Sequence, residues 1–216
     1  MPAFFKLMPQ MSHYYAIKNE YQSITEDKAN IQVSTVQWDV KDGERFNIGF
    51  IDETGRKKPC PVIIHASSFG SIERTLCTIL ENIAIDQKEG RPPMFPVWLS
   101  PTQARVVNVK SEFLDFADET CAKLTAAGIR ADVDDRDETV GKKIRNGEQD
   151  WIPYILVVGE KERDTARFTV RYREDKSQNE MSLDEFIALV KGQVGDMPYR
   201  PLPVPMRVSQ RPVYFG

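Results

Sequence analysis

Two rhythms of apolar and polar positions run along the chain. Early on, Ile31-Gln-Val-Ser-Thr-Val-Gln-Trp alternates loosely and is rich in β-branched residues, which predicts a strand. Arg45-Phe-Asn-Ile-Gly-Phe-Ile-Asp alternates too. With the turn-like Asp52-Glu-Thr-Gly-Arg and then Pro61-Val-Ile-Ile-His, it predicts an antiparallel hairpin. Ser71 to Ile85 sets Ile72, Leu76, Ile79, Leu80 and Ile83 at helical spacing, a helix with one buried face, capped by Gly70 or Ser71. Strands that end on a helix define an antiparallel α+β unit.

The rhythm breaks at Asp86-Gln-Lys-Glu-Gly-Arg-Pro-Pro-Met-Phe-Pro, where Gly90 and three prolines stop helical continuation and mark a linker. Beyond it, strands are expected at 104–109, 129–133, 153–158 and 168–173. Helices are expected at 111–127, closed by Gly128, at 138–149, and at 182–194 with a Ser/Glu capping box. Strand alternating with helix is the pattern of right-handed crossovers on a mixed sheet. From Met197 the chain is too proline-rich for regular structure and reads as an extended arm over a surface.

Composition narrows the function classes. The 216 residues carry 29 Lys+Arg against 32 Asp+Glu, a net charge of −3, so no global positive field binds nucleic acid and any RNA contact needs a local patch. Apolar runs such as Val62–Ile64 and Ile155–Val158 are far shorter than the roughly 20 residues of a membrane span. The N-terminus, broken by Lys6 and Pro9, does not read as a signal peptide. Cys60, Cys77 and Cys121 are odd in number and widely spaced, as in a reduced cytoplasmic protein without a disulfide framework. With His13 and His65 the only histidines, a histidine-rich metal site is excluded.

Candidate chemistry falls in both halves. Gly70-Ser-Ile-Glu-Arg opens a helix, and a Gly/Ser helix start is a reasonable anion site with Arg74 one turn in. Gln32 and Gln37 carry neutral amides, and His65 ends a strand. By spacing alone the bland readings dominate: Arg74 pairs with a neighbour, the glutamines lie on a strand surface, and His65 is a satisfied core histidine. In the second half Lys142, Lys143 and Arg145 share a helix. Arg167, Arg171 and Arg173 share one strand face by alternation. The bland alternative is a solvated, salt-bridged helix face with Glu138, Glu148 and Asp150 nearby, and Trp151 reads as core or interdomain packing.

Taken in order, the motifs are more specific. Val33-Ser-Thr-Val-Gln-Trp-Asp, Pro61-Val-Ile-Ile-His-Ala-Ser-Ser-Phe-Gly-Ser-Ile-Glu-Arg and Phe95-Pro-Val-Trp-Leu-Ser-Pro-Thr-Gln resemble the end of the catalytic core of threonyl-tRNA synthetases. Gly128-Ile-Arg-Ala-Asp-Val-Asp-Asp-Arg-Asp-Glu, Gly141-Lys-Lys-Ile-Arg, Trp151-Ile-Pro-Tyr-Ile-Leu-Val-Val-Gly-Glu-Lys-Glu and Phe168-Thr-Val-Arg-Tyr-Arg resemble the anticodon-binding domain of class IIa synthetases. The closing Ser209-Gln-Arg-Pro is similar to archaeal-type members.

The resemblance implies a fold that is α/β and α+β. Residues 1–90 would be the C-terminal part of an antiparallel class II catalytic core. Residues 91–196 would be an α/β anticodon-binding domain with a mixed five-stranded sheet, and 197–216 a Pro-rich arm. It implies that Gly70–Arg74 is motif 3, with Ser71 and Arg74 toward ATP, and that Gln32 and Gln37 line the threonine pocket. A cation on a purine face near phosphates suits arginine. His65 would be one of three ligands of the family's zinc, which holds the threonine amino and hydroxyl groups and rejects valine. Glu162 and Arg171 would read anticodon bases, where a carboxylate accepts from guanine and arginine donates to it. Asp137 stands where bacterial members carry asparagine. Lys142, Lys143 and Arg145 would hold phosphates.

The same resemblance exposes what is absent. Motifs 1 and 2 and two of the three zinc ligands are not in this chain; His13 has no matching context, and Cys60 lies elsewhere in the hairpin. The expectation is half an active site, with no complete catalytic set: ATP and zinc belong to the longer family enzyme, and this chain alone forms no threonyl-adenylate and retains no zinc. Threonine tRNA is the expected partner, with a cytoplasmic location, a homodimeric full-length enzyme, and neither membrane nor DNA. Two other readings are a free-standing tRNA-binding module and a synthetase-like scaffold for a protein partner.

Overall fold

A computed structural model describes residues 5–10 and 15–212, with side chains from residue 17 onward, and His13 lies outside it. The chain divides into two compact units, Met1–Ile85 and Asp86–Gly216. In the first, β1 (Phe5–Gln10), β2 (Tyr15–Ile24), β3 (Asn30–Asp39) and β6 (Ile63–Ser67) form an antiparallel sheet in the order β1-β2-β3-β6. Between β3 and β6 come a short helix, α1 (Asp42–Arg45), and a separate two-stranded ribbon of β4 (Gly49–Ile51) and β5 (Lys57–Pro59). The helix α2 (Ile72–Lys88) follows.

Two expectations change here. The run at 45–52 does not pair with 61–65: Gly49–Ile51 pairs with Lys57–Pro59, and β6 pairs with β3. The cause is local. Asp52 accepts from Thr54 N at 2.9 Å, Thr54 Oγ1 at 2.7 Å and Arg56 N at 3.0 Å, closing the turn so tightly that β5 begins at Lys57. The stripe on α2 is not buried either. Ile72, Leu76 and Leu80 are 84%, 46% and 41% exposed, and only Ile83 is buried.

The second unit holds the main core. Its strands are β7 (Ala104–Asn108), β8 (Ala131–Asp134), β9 (Tyr154–Val158), β10 (Arg167–Tyr172) and β11 (Gln178–Ser182), in the order β11-β10-β9-β7-β8. β7 runs parallel to both β8 and β9, whereas β10 is antiparallel to β9 and β11. The helices are α3 (Leu114–Ala126), α4 (Val140–Gln149), α5 (Glu160–Thr165) and α6 (Leu183–Val194). This is the mixed five-stranded sheet expected, with β11 and α5 added.

Alternation assigns the two faces of that sheet. Ala104, Val106, Leu156, Val158, Phe168 and Val170 face α3 and α6, meeting Ala117, Cys121 and Leu124 of α3 and Phe186 and Val190 of α6. Val107 and Ile155 face the other way, packed by Val140 and Ile144 of α4. A Cβ on Gly147 would come within 2.8 Å of Ile155 Cδ1, so glycine lets α4 sit close. Beneath α4 lies a buried ion pair, Arg105 Nε to Asp132 Oδ1 at 2.9 Å. Burial works against the Arg105 charge, but the Asp132 carboxylate outweighs it and holds the guanidinium above its ordinary value.

The C-terminal arm is fastened to this unit. Val133 N donates to Met206 O at 3.0 Å and Val133 bridges Arg207 in parallel, extending the sheet beyond β8. Arg207 pairs with Asp118, Ser209 N donates to Asp135 at 2.9 Å, and Arg211 reaches Asp132 at 2.8 Å. Extended backbone was expected; a pinned sheet edge with a 3-10 turn at Val208–Gln210 is what the chain forms.

Candidate functional site

The register of the first sheet sorts its side chains into two unlike faces. Gln37 lies opposite Lys18 on one side and His65 on the other, and Thr35 lies opposite Glu20 and Ser67. Directly opposed residues share a face. Between Tyr21↔Ser34 and Gln22↔Gln32 the register shifts, leaving Val33 as the extra residue of a bulge. That bulge reverses the alternation, so Gln32 joins Thr35, Gln37 and Asp39 on one polar face. Hydrogen bonds agree: Gln37 Nε2 donates to Thr35 Oγ1 at 3.1 Å, and Gln22 Nε2 donates to Glu20 at 3.2 Å. The opposite face is apolar, with Ile17, Val36, Trp38 and Ile64, of which Ile17 and Ile64 are half or more exposed.

The 67–74 segment docks on the same strand. Gly70 sits at φ +66, and a Cβ there would lie 2.7 Å from Val33 O, so only glycine makes this approach unstrained. Ser71 Oγ accepts from Arg74 N at 3.3 Å, and Arg74 donates to Gln32 O at 3.4 Å. Arg74 and Ser71 are exposed, beside the Gln32 end of the polar face.

At the other end, His65 Nε2 lies 3.1 Å from Asp39 Oδ2. Asp39 is fully buried, and its Oδ1 accepts from the backbone N–H of both Asp42 and Lys41 at 2.9 Å. The Asp42 amide leads in holding this carboxyl below the usual carboxylate range; its bond with Asp39 pushes the Asp42 carboxyl up. His65, Asp39 and Asp42 place ligand atoms within 4.8 Å of one another. Asp39 is spent on two amides and the imidazole, which makes it an orienting partner of His65 and not a third ligand. Cys60 Sγ is engaged by Val62 O at 3.2 Å. Among the described residues, zinc would find His65 and Asp42, fewer than the three or four donors it needs, so this chain alone does not fit the metal.

In the second unit α4 packs on β7 and on Ile155 of β9 over one sheet face, and the β10 and β11 part of that face lies beyond it. Arg167, Thr169 and Arg171 lie on this face, Arg167 exposed and the other two half-buried, with Arg171 opposite Ile155 and Gln178. Thr169 Oγ1 donates to Glu162 at 3.2 Å, which brings Glu162 onto the face that carries Arg171. The other Glu162 oxygen accepts Gly159 N at 3.1 Å, capping α5 and burying the residue. Each oxygen of a carboxylate keeps a further lone pair for another donor.

The remaining candidate cations divide. Arg145 is exposed, with no ion pair or hydrogen bond among the described residues. Lys142 is exposed and paired with Glu138 at 2.9 Å, and Asp137 is exposed nearby. Lys143 does not join them: it is 3% exposed, and its ammonium donates to Asn108 Oδ1 at 2.9 Å. Burial lowers its pKa, against the pull of Asp134 and Asp135. The expectation that Lys143 faces a phosphate is corrected, because its side chain points into the domain with Val140, Ile144 and Gly147. Asp39, Thr169 and Asn108 were not anticipated. Asp39 stands two residues after Gln37, a spacing that puts it on the same strand face.

The second unit is thus a mixed five-stranded α/β domain with Arg171 and Glu162 on one face of its sheet. Residues 103–193 match the family model of the anticodon binding domain. The whole chain is 45% identical over 215 residues to threonine–tRNA ligase of Pyrococcus furiosus, covering 100% of this chain and 34% of that protein. It is 43% identical to the same ligase of Methanobrevibacter smithii, covering 97% and 34%. Among solved structures, the RNA binding domain of threonyl-tRNA synthetase from Cryptosporidium parvum Iowa II matches with a TM-score of 0.70 at 30% identity, covering 85% of this chain and 44% of that one. The chain is homologous to the C-terminal part of threonine–tRNA ligases, with an anticodon-binding domain. It spans about a third of the length of the curated relatives it matches.

Proposed function

We propose that this chain serves threonyl-tRNA formation by binding the anticodon loop of threonine tRNA, as part of a ligase that joins threonine to its tRNA with ATP. The match over residues 103–193 carries the reading, because it falls on the domain that holds Arg171 and Glu162 on one sheet face. Anticodon bases are unpaired and can be splayed onto a protein surface. Arg171 donates to a base edge from a fixed strand position. Glu162, already oriented by Gly159 and Thr169, accepts from guanine N–H groups. Arg145, with Lys142, meets phosphates and sets the register of the loop, and Asp137 borders them.

Residues 1–90 are the C-terminal part of the catalytic core in this reading, 91–196 the anticodon-binding domain and 197–216 the arm. The polar face of the first sheet offers Gln32 and Gln37 to threonine, and Ser71 and Arg74 approach ATP at its Gln32 end. His65 would supply one zinc ligand, oriented by Asp39, with the others from outside this chain. Zinc, when bound, would chelate the threonine hydroxyl and amino groups. This chain alone therefore forms no adenylate. The intact enzyme acts in the cytoplasm as a homodimer, and among the described residues no helix is long and apolar enough to cross a membrane.

The test is binding of the chain to threonine tRNA and to the same tRNA with two anticodon bases changed, at about 150 mM salt, where non-specific phosphate binding is weak. A loss of about 1–3 kcal/mol per altered base is expected. Equal, weak binding to both would reject the anticodon reading in favour of a scaffold for a protein partner.

A further inference from the structure

The turn that closes α4 holds a conformation its sequence does not favour. Trp151 N donates to Glu148 O at 3.2 Å and Ile152 N to Gly147 O at 3.0 Å, the two reversed bonds of a Schellman closure. Such a closure puts the residue after the cap in the left-handed region, where glycine is usual. Here that residue is Trp151, at φ +57. A bulky side chain there is strained, and it persists only where its surroundings hold it. Two braces are local: Arg173 donates to the Glu148 carbonyl, and Phe95 packs the Trp151 ring with centroids 5.5 Å apart. The cap, Asp150, adds a difficulty of its own, because it sets a carboxylate at a helix C-terminus, the end whose dipole disfavours anions.

A third brace reaches the cap itself, and it leads back to the C-terminal arm. Arg105 Nη1 donates to Asp150 Oδ2 at 2.6 Å, while its Nε and Nη2 donate to the two oxygens of Asp132 at 2.9 Å each. Arg105 and Asp132 are 2% and 0% exposed, and a two-pronged bond between them fixes the plane of the guanidinium. Asp132 has a second arginine: Arg211 Nη1 of the arm lies 2.8 Å from Asp132 Oδ2, and Arg211 Nε donates to Pro205 O at 2.9 Å. Arg211, Asp132, Arg105 and Asp150 therefore form one line of alternating charge that runs from the arm, under α4, to the cap. The arm's other anchors, Arg207 on Asp118 and Ser209 on Asp135, use carboxylates outside this line.

We propose that Arg211 is a positioning residue for RNA binding: through Asp132, Arg105 and Asp150 the docked arm fixes the strained turn at Trp151, and with it the seat of α4. That helix carries Lys142 and Arg145 on its exposed side. The RNA consequence rests on the proposed function, whereas the coupling inside the protein does not, and the experiment reads the two separately. Arg211→Met, which keeps bulk and removes the charge, Asp150→Ala and the double variant are each compared with the wild-type chain. One readout is hydrogen exchange of the Ile152 amide, whose bond to Gly147 closes the turn, with the Leu156 amide of the central strand β9 as the reference for global opening. The other is affinity for an RNA stem-loop carrying the threonine anticodon and for one whose anticodon is altered. Arg211→Met is expected to speed Ile152 exchange about tenfold with Leu156 unchanged, and to weaken RNA binding about threefold. In the Asp150→Ala background, where the line is already cut, it is expected to do neither, because residues that act through one another are not additive. Additive effects of the two substitutions, or Ile152 exchange that changes only in step with Leu156, overturn the proposal. So does an Arg211→Met chain that binds RNA as well as the wild type. A wild type that binds both stem-loops alike rejects the anticodon reading; if Arg211→Met then weakens both, and only while Asp150 is present, the arm's role stands.

Discussion

Lys142 and Lys143 are adjacent in sequence and opposite in fate. A helix turns 100° per residue, so with Val140, Ile144 and Gly147 packed against the sheet, residue 143 points inward and residue 142 outward. Lys143→Met would strand the buried Asn108 carboxamide oxygen, and a loss of about 1–3 kcal/mol in urea unfolding is expected. Lys142→Ala should leave the midpoint unchanged while weakening tRNA binding. A stability loss from Lys142→Ala equal to that from Lys143→Met would contradict this division. The inward stripe 140, 143, 144, 147 was available in the sequence. It was obscured because a lysine at a buried position reads as surface unless its partner, 35 residues upstream, is known. Glu162 is a milder case: it follows Gly159 by three residues, the capping spacing, and its bond to Thr169 comes from tertiary structure.

At the scale of elements, strong periodicity was readable and weak periodicity was not. β7, β9, α3 and α6 carry apolar residues at the period their burial demands, and their existence follows from the sequence. β2 and β11 do not: Lys18, Glu20 and Gln22 occupy one face of β2, and β11 is the polar edge Gln-Asn-Glu-Met-Ser. The bulge at Val33, which puts Gln32 beside Gln37, is a pairing property that a single strand does not encode legibly. The arm offers a test with a definite sign. Burial raises the Asp135 carboxyl, but the Ser209 hydroxyl and amide outweigh it and leave the folded pKa depressed. Such a group stabilises the folded state fully above its unfolded value of about 3.9 and loses that contribution as pH falls through the lower folded value. The Ser209 amide should therefore stay protected from hydrogen exchange at pH 6 and lose protection selectively below pH 4. Loss of protection on raising the pH from 6 to 8, beyond the intrinsic exchange rate, would contradict the latch.

For the whole molecule, the two units differ in how much apolar surface they cover. Phe46, Phe50, Ile51, Ile64, Phe69, Ile72, Leu76 and Leu80 are all more than 40% exposed in the first unit, whereas the second has a contiguous core around Val106, Leu156 and Phe186. Exposed patches of this kind drive association. Residues of β3, β6 and α2 are expected to exchange amide hydrogens faster than β7 and β9, or the isolated chain to self-associate through them. Uniform protection in a monodisperse monomer would contradict that. Arg171 is proposed to read an anticodon base, and a double-mutant cycle tests that role most directly. Arg171→Ala and the wild type are each measured against threonine tRNA and against tRNAs altered at single anticodon positions. Direct readout predicts a coupling of about 1–3 kcal/mol at one position and near zero elsewhere. An Arg171→Ala variant that binds every tRNA equally less well, with no coupling at any position, would reduce Arg171 to a phosphate or structural contact and remove the basis for anticodon recognition at this face.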